Sequence, residues 1–130
     1  MSEDSKVNHW ISISDYDLET AKAMLDSGRF LYVGFMCHQA IEKILKAYYL
    51  FLLKEEPIYT HNLKLLADKT GLYSQLSEEQ KNLINQLMPF NIETRYPSYK
   101  MEILKQLTQK KCQVILDTTK DFSLWIKQKL

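Results

Sequence analysis

The amino-acid sequence predicts an all-α protein, a four-helix bundle of the up-and-down type with one short additional helix. Three observations predict this class. Apolar residues recur at helical spacing along the long segments of the chain. No segment alternates apolar and polar residues as a half-buried strand does. Glycine and proline are scarce, with three of each, and they mark most of the boundaries between segments.

The first two helices are expected at His9 to Asp26 and from Phe30 to just before Pro57. Ser27-Gly28 is a typical C-terminal stop for the first helix. The second helix is apolar almost all round, so we expect it at the centre of the bundle or at a subunit interface.

Shorter helices should follow. Thr60 is a suitable N-cap for a third helix that ends at Thr70-Gly71. Ser77 and Gln80 form the pattern of a capping box at the start of the next helix, which Pro89 would stop.

A loop over residues 90–99 and one long last helix from Met101 complete the predicted fold. The apolar seam of that helix comprises Ile103, Leu104, Leu107, Val114, Ile115, Phe122, Trp125 and Ile126.

The 130 residues predict a single domain, 1–130, in which residues 1–8 form a flexible N-terminus. The formal net charge of +1 argues against a whole basic face for nucleic acid or membrane, so any polyanion site must be local. The polar N-terminus lacks a signal-peptide pattern, and the apolar run 47–53 is too short to cross a bilayer. Cys37 and Cys112 lie in apolar stretches, as buried thiols of a reducing compartment do. We therefore expect a cytoplasmic location.

A narrow polar strip interrupts the apolar second helix. His38, Glu42 and Lys46 stand at i, i+4 and i+8, with Gln39 and Lys43 on the adjoining positions. Spacing alone favours a solvated face with an ion pair between Glu42 and Lys46. The alternative is a cleft wall, where a lysine or histidine meets an anion that the glutamate helps to position.

No metal or cofactor is expected. His38 and Glu42 could be half of a metal site, but no cysteine or second histidine accompanies them at ligand spacing. The chain has no glycine-rich phosphate loop and no Gly-x-Ser-x-Gly motif.

Two further segments could contact a nucleotide. His61, at the start of the third helix, could contact a phosphate, or it could simply pack or face water. Arg95 offers a planar fork for phosphate, and Tyr96 offers a stacking face. Alternatively, Arg95 pairs with Glu93 or with a carboxylate of the second helix.

Three motifs in order resemble those of the HEPN family. Residues 37–47 contain Gln-Ala-x-Glu-Lys-x-x-Lys-Ala, the signature of the family's second helix. Thr60-His61-Asn62-Leu63 is similar to the family's Thr-His-Asp-Leu step, with Asn62 in place of aspartate. Arg95-Tyr96-Pro97 matches an Arg-Tyr-Pro that precedes the last helix. The resemblance extends from Trp10 to Trp125.

The resemblance implies a homodimeric bundle that binds a nucleotide or RNA between its second and last helices. It also implies a partner, a minimal nucleotidyltransferase, in a toxin–antitoxin-type pair. Ribonuclease members carry a catalytic histidine shortly after the arginine, but residues 100–102 are Lys-Met-Glu here. Catalysis is therefore not expected.

Three hypotheses follow. The first is a non-catalytic binder in which Arg95, Lys46 and His61 hold phosphate, Glu42 orients Lys46 and Arg95, and Tyr96 stacks on a base, with Gln39 and Lys43 as further candidates. The second is a metal-independent ribonuclease that uses His38 or His61 as its base. The third is a pure protein-interaction module without a ligand.

Overall fold

The structure is a computed structural model that describes residues 2–91 and 97–130, with side chains described outside residues 97–100. This part of the chain is helical throughout its regular structure and contains no strand, which confirms the predicted all-α class. Its α-helices are α1 (Glu3–Asp26), α2 (Phe30–Leu53), α3 (Leu63–Lys69), α4 (Glu78–Leu87), α5 (Pro97–Lys105) and α6 (Gln109–Lys127). Two short 3₁₀ helices lie at Tyr73–Gln75 and Met88–Phe90.

Helix α1 begins earlier than predicted. Its first residue is Glu3, not His9, so most of the segment predicted as a flexible N-terminus is helical. The Ser2 side chain caps the helix by accepting a hydrogen bond from the backbone N–H of Ser5 at 3.1 Å. The predicted stop is confirmed, because the helix ends at Asp26 and the chain reverses through Gly28 with a φ of 74°.

Helix α2 is the centre of the bundle, as its apolar composition predicts. It contacts each of the other α-helices of the described chain, and α1 and α6 most extensively. Gly34 lies where α2 meets the 3₁₀ helix that contains Phe90. A Cβ atom at this glycine would lie 2.6–2.9 Å from atoms of the Phe90 ring, so Gly34 permits close packing inside a helix and does not interrupt the chain.

The helix ends around α3 and α4 follow local capping chemistry. The N-cap of α3 is Asn62 and not Thr60, because the Asn62 side chain accepts from the N–H of Leu65 at 3.0 Å. Thr60 instead accepts from the N–H of Asn62 itself. The predicted capping box of Ser77 and Gln80 is confirmed, with both reciprocal hydrogen bonds present.

The prediction of one long last helix is wrong. The segment forms two helices, α5 and α6, and the Thr108 side chain caps the second by accepting from the N–H of Lys111 at 3.1 Å. The predicted loop is also shorter than 90–99, because α5 already begins at Pro97. The predicted apolar seam is only partly buried: Ile115 is buried, whereas Val114 is 55% exposed.

Two further observations concern the cysteines and the apolar helices. Cys37 and Cys112 are both buried, with free thiols. Within residues 2–91 and 97–130, no helix has the length and apolar character needed to traverse a bilayer.

Candidate functional site

The polar strip of α2 is buried against α1 and the loop before α3. His38 is inaccessible to solvent, Glu42 is 1% exposed and Lys46 is 6% exposed. The predicted ion pair between Glu42 and Lys46 exists, with Lys46 Nζ 3.1 Å from Glu42 Oε2. The interpretation of the strip as a solvated face is wrong, because the neighbouring elements cover it.

Glu42 is the hub of this strip. Its Oε1 accepts a hydrogen bond from His61 Nδ1 at 2.7 Å. Its Oε2 accepts from Lys43 Nζ at 3.0 Å and from Lys46 Nζ at 3.1 Å. Burial by itself raises the pKa of a carboxyl, but the positive charge of Lys43, the His61 hydrogen bond and Lys46 together hold the pKa of Glu42 below its ordinary value. One buried carboxylate thus gathers three nitrogen donors from two segments of the chain.

A second set of hydrogen bonds lies deeper in the core and connects to the Glu42 carboxylate through Lys43. Lys43 Nζ donates to Gln39 Oε1 at 2.9 Å, and the Gln39 amide lies 3.5 Å from His38 Nδ1. His38 Nε2 lies 3.1 Å from the backbone oxygen of His61. Burial lowers the pKa of His38 to about 4, so the ring is neutral at pH 7. The network assigns its proton to Nε2, which donates to the His61 carbonyl, while Nδ1 accepts from Gln39.

His38 and His61 therefore occupy different positions. Both ring nitrogens of His38 have partners within the protein, and the side chain is closed to solvent. The His61 side chain is 31% exposed, and the Lys43 side chain beside it is 18% exposed. His61 and Lys43 form the solvent-facing edge of the cluster, and His38 supports that edge from behind.

Two aromatic residues belong to this site that the sequence did not single out. Lys46 Nζ lies 5.5 Å from the ring centroid of Trp10 and 5.8 Å from that of Tyr59, within the range of cation–π attraction. The rings of Tyr59 and His61 meet edge to face, with centroids 5.6 Å apart. Trp10 is an apolar residue of a predicted helix, so its position in the sequence gave no sign of a role in the site. Tyr59 stands two residues before His61, a proximity that could have drawn attention to it.

Helix α1 adds a second carboxylate. Asp17 is only 9% exposed, and burial raises its pKa to about 6, an effect that Lys43 opposes and Glu42 reinforces. One turn earlier, Ser14 donates a hydrogen bond to the backbone oxygen of Ala40 at 2.7 Å and ties α1 to α2 beside the cluster. The spacing of Trp10, Ser14 and Asp17 at i, i+4 and i+7 places all three on the α1 face that covers the polar strip.

The predicted residues Arg95 and Tyr96, with their neighbour Glu93, lie outside the described residues. Of the other candidates, the structure brings Gln39, Glu42, Lys43, Lys46 and His61 together with His38 in one connected network. In the described chain, no three His, Cys, Asp or Glu side chains converge in a way that could hold a metal ion.

The charges of the site are close to balanced at pH 7. The carboxylates of Glu42 and Asp17, the second with a pKa of about 6, offset the ammonium groups of Lys43 and Lys46. At the solvent-facing edge, however, the groups on offer are the nitrogen donors of Lys43 and His61, and these suit an oxygen-rich anion.

Comparisons with known proteins agree on the class of the domain. The family model described as "HEPN domain" matches residues 7–129. The crystal structure of TT1696 from Thermus thermophilus is similar, with a TM-score of 0.67 and 18% sequence identity, over 96% of this chain and 98% of that one. At this identity the likeness concerns the fold alone. None of the curated protein sequences matches significantly.

Proposed function

This chain belongs to the HEPN domain family, and from that premise we propose that it is a non-catalytic module that binds the phosphate of a nucleotide or RNA. The observation that carries the proposal is the gathering of Lys43, Lys46 and His61 around the single carboxylate of Glu42.

The partial burial of Lys43 strengthens its attraction for an anion at the edge of the cluster. A positive charge beside a low-dielectric interior is screened less than one on an open surface, so an anion at the edge gains more from it. Glu42 holds the Lys46 ammonium and the His61 ring in fixed positions, which limits the ordering needed on binding. Lys43 and His61 are the groups that an incoming phosphate would meet first.

Arg95 and Tyr96 complete the proposed site through the family resemblance. Arg95 would add a forked donor for the phosphate and Tyr96 a stacking surface. The same resemblance supports a homodimer and a minimal nucleotidyltransferase as the partner, in a toxin–antitoxin-type pair in the cytoplasm.

A binding titration tests the proposal. The purified protein is titrated with ATP and with a short single-stranded RNA, and so are its Lys43→Ala, Arg95→Ala and Lys22→Ala variants. Lys22→Ala is the matched control, since it removes the same charge from an exposed pair with Asp26 on α1. Loss of a charge-assisted hydrogen bond should weaken binding by about tenfold in Lys43→Ala, with little change in the control.

Absence of binding to both ligands would reject this function and leave the protein-interaction module. Equal weakening in Lys43→Ala and Lys22→Ala would show a diffuse charge effect and reject the cluster as the site.

One observation favours a second candidate, the metal-independent ribonuclease. The contact of 2.7 Å between Glu42 and His61 Nδ1 fixes the orientation of the imidazole. This arrangement leaves His61 Nε2 to accept a proton, as in other carboxylate–histidine pairs. Adding His61→Gln to the same titration and following RNA integrity answers this. RNA cut by the wild type and left intact by His61→Gln would establish the nuclease, and intact RNA in every tube would exclude it.

A further inference from the structure

Tyr59 is the most exposed large hydrophobic side chain of the described residues, at 90%, although it borders the buried cluster. Its ring centroid lies 5.6 Å from that of His61 and 5.8 Å from Lys46 Nζ. An aromatic ring left open to water beside lysine side chains is the combination that single-stranded nucleic-acid sites use.

We infer that Tyr59 is a stacking platform for one unpaired nucleobase, which makes the ligand a nucleotide or a single strand and not a bare phosphate or a closed duplex. This inference rests on the proposed function, because the phosphate of the same nucleotide would lie at His61 and Lys43.

The platform is held in place although it is exposed. The Tyr59 ring meets the His61 ring at an interplanar angle of 64°. His61 in turn is fixed twice, by its Nδ1 hydrogen bond to Glu42 and by the hydrogen bond between its backbone oxygen and His38. The contact with His61 reduces the freedom that the Tyr59 ring loses when a base stacks on it.

The stacking surface and the phosphate-facing groups are close enough to hold the base and the phosphate of one nucleotide. The two are neighbours, since the Tyr59 and His61 rings are in contact. A base within a duplex already has both faces stacked and would have to leave its pair to reach the Tyr59 ring. An unpaired base has a free face, and stacking tolerates any base because each has a π-face.

Lys46 contacts both aromatic rings of the site. Its ammonium lies 5.5 Å from the ring centroid of Trp10 and 5.8 Å from that of Tyr59, within cation–π distance of both. Trp10 is half-buried on α1 and thus reports on events at Lys46 and Tyr59 through its fluorescence. The only other tryptophan, Trp125, packs near Phe122 on α6.

The experiment compares three hexamer probes: single-stranded oligoadenylate RNA, the same backbone with abasic riboses, and a blunt RNA duplex. Binding is followed by the anisotropy of a labelled probe and by Trp10 fluorescence in a Trp125→Phe background. The variants are Tyr59→Ala, Tyr59→Phe and Tyr16→Ala. Tyr16 is the matched control, a tyrosine 70% exposed on α1.

The expected result is selective. The wild type should bind the adenylate strand more tightly than the abasic strand or the duplex. Tyr59→Ala should weaken binding of the adenylate strand by about tenfold and leave the abasic strand unchanged, because only the base stacks. Tyr59→Phe keeps the ring and should behave like the wild type, as should Tyr16→Ala.

Two results would overturn the inference in distinguishable ways. If the wild type binds the abasic strand as tightly as the adenylate strand, and Tyr59→Ala matters for neither, phosphate binding stands and base stacking is rejected. If the wild type binds none of the three probes, the proposed function is rejected, and this inference with it.

Discussion

The carboxylate of Glu42 accepts a hydrogen bond from His61 Nδ1 at 2.7 Å, which joins the middle of α2 to the segment that begins α3. The other oxygen of the same carboxylate holds Lys43 and Lys46. Both the position of the candidate site and the stability of the bundle therefore depend on one buried charge.

Glu42→Gln should destabilise the protein by about 3 kcal/mol, because it leaves the buried Lys46 ammonium without its counter-charge. Urea unfolding at pH 7 measures this change. The double variant Glu42→Gln/Lys46→Met removes the unpaired charge as well and should recover a large part of the loss. A loss below about 1 kcal/mol in the single variant would contradict the assignment of Glu42 as the hub.

Gly34→Ala should destabilise the bundle by about 1–3 kcal/mol, because the added methyl group would overlap the Phe90 ring. Phe90→Leu makes room, so the two changes together should be less harmful than the sum of their separate effects in thermal or urea unfolding. Gly28→Ala is the control: it meets no atom within 4 Å, and Phe90→Leu should not alter its effect. Strict additivity for the Gly34 pair would argue against the close approach.

Asp17→Asn should stabilise the protein at neutral pH. The pKa of Asp17 is 3.8 in a free side chain and about 6 in the fold, so the folded state binds its proton more tightly. Its contribution to stability is therefore greatest below pH 4 and declines as pH rises from about 4 to about 6. We expect Asp17→Asn to gain about 2 kcal/mol at pH 7 and little at pH 4.

Urea titrations at the two pH values measure this difference. Glu19→Gln, the same loss of a carboxylate at an exposed position of the same helix, is the control. An equal effect of Asp17→Asn at both pH values would contradict the role of burial.

His38 should give the opposite dependence of stability on pH. Its pKa falls from 6.5 to about 4 on folding, so the folded state resists the proton. The stability that it contributes is complete above pH 6.5 and decreases by about 3 kcal/mol as pH falls from 6.5 to about 4. His38→Gln in an Asp17→Asn background should flatten this decline, which a series of unfolding curves between pH 7 and pH 4.5 would show. An unchanged slope would contradict a neutral buried imidazole.

Much of the fold could be predicted because local chemistry determines it. Apolar periodicity gave the helical class, and the reciprocal hydrogen bonds of Ser77 and Gln80 were visible as a pattern of residue types. The α5–α6 boundary was missed because the apolar seam continues across it with helical spacing. Thr108 caps α6 and so fixes this boundary, but in the sequence it cannot be distinguished from any threonine ahead of a lysine-rich helix.

The part of the candidate site that lies on one helix could also be predicted from local spacing. The strip from His38 to Lys46 lies on one helix face, so spacing revealed it. Its burial depends on α1 and on the loop before α3, which no local pattern could show. Trp10 and Tyr59 belong to the site through tertiary contacts with Lys46. Helical periodicity describes neighbours within one helix and cannot reveal contacts between separate segments.

The central place of α2 has a consequence for the order in which the chain folds. Only three residues separate α1 from α2, and these two helices share the most extensive contact in the structure, so their pairing closes a short loop and should form early. Amide hydrogens in the middle of α2, enclosed by five other helices, should then exchange with deuterium only through global unfolding. Those of α5, which has a small contact with α2, should exchange through local opening.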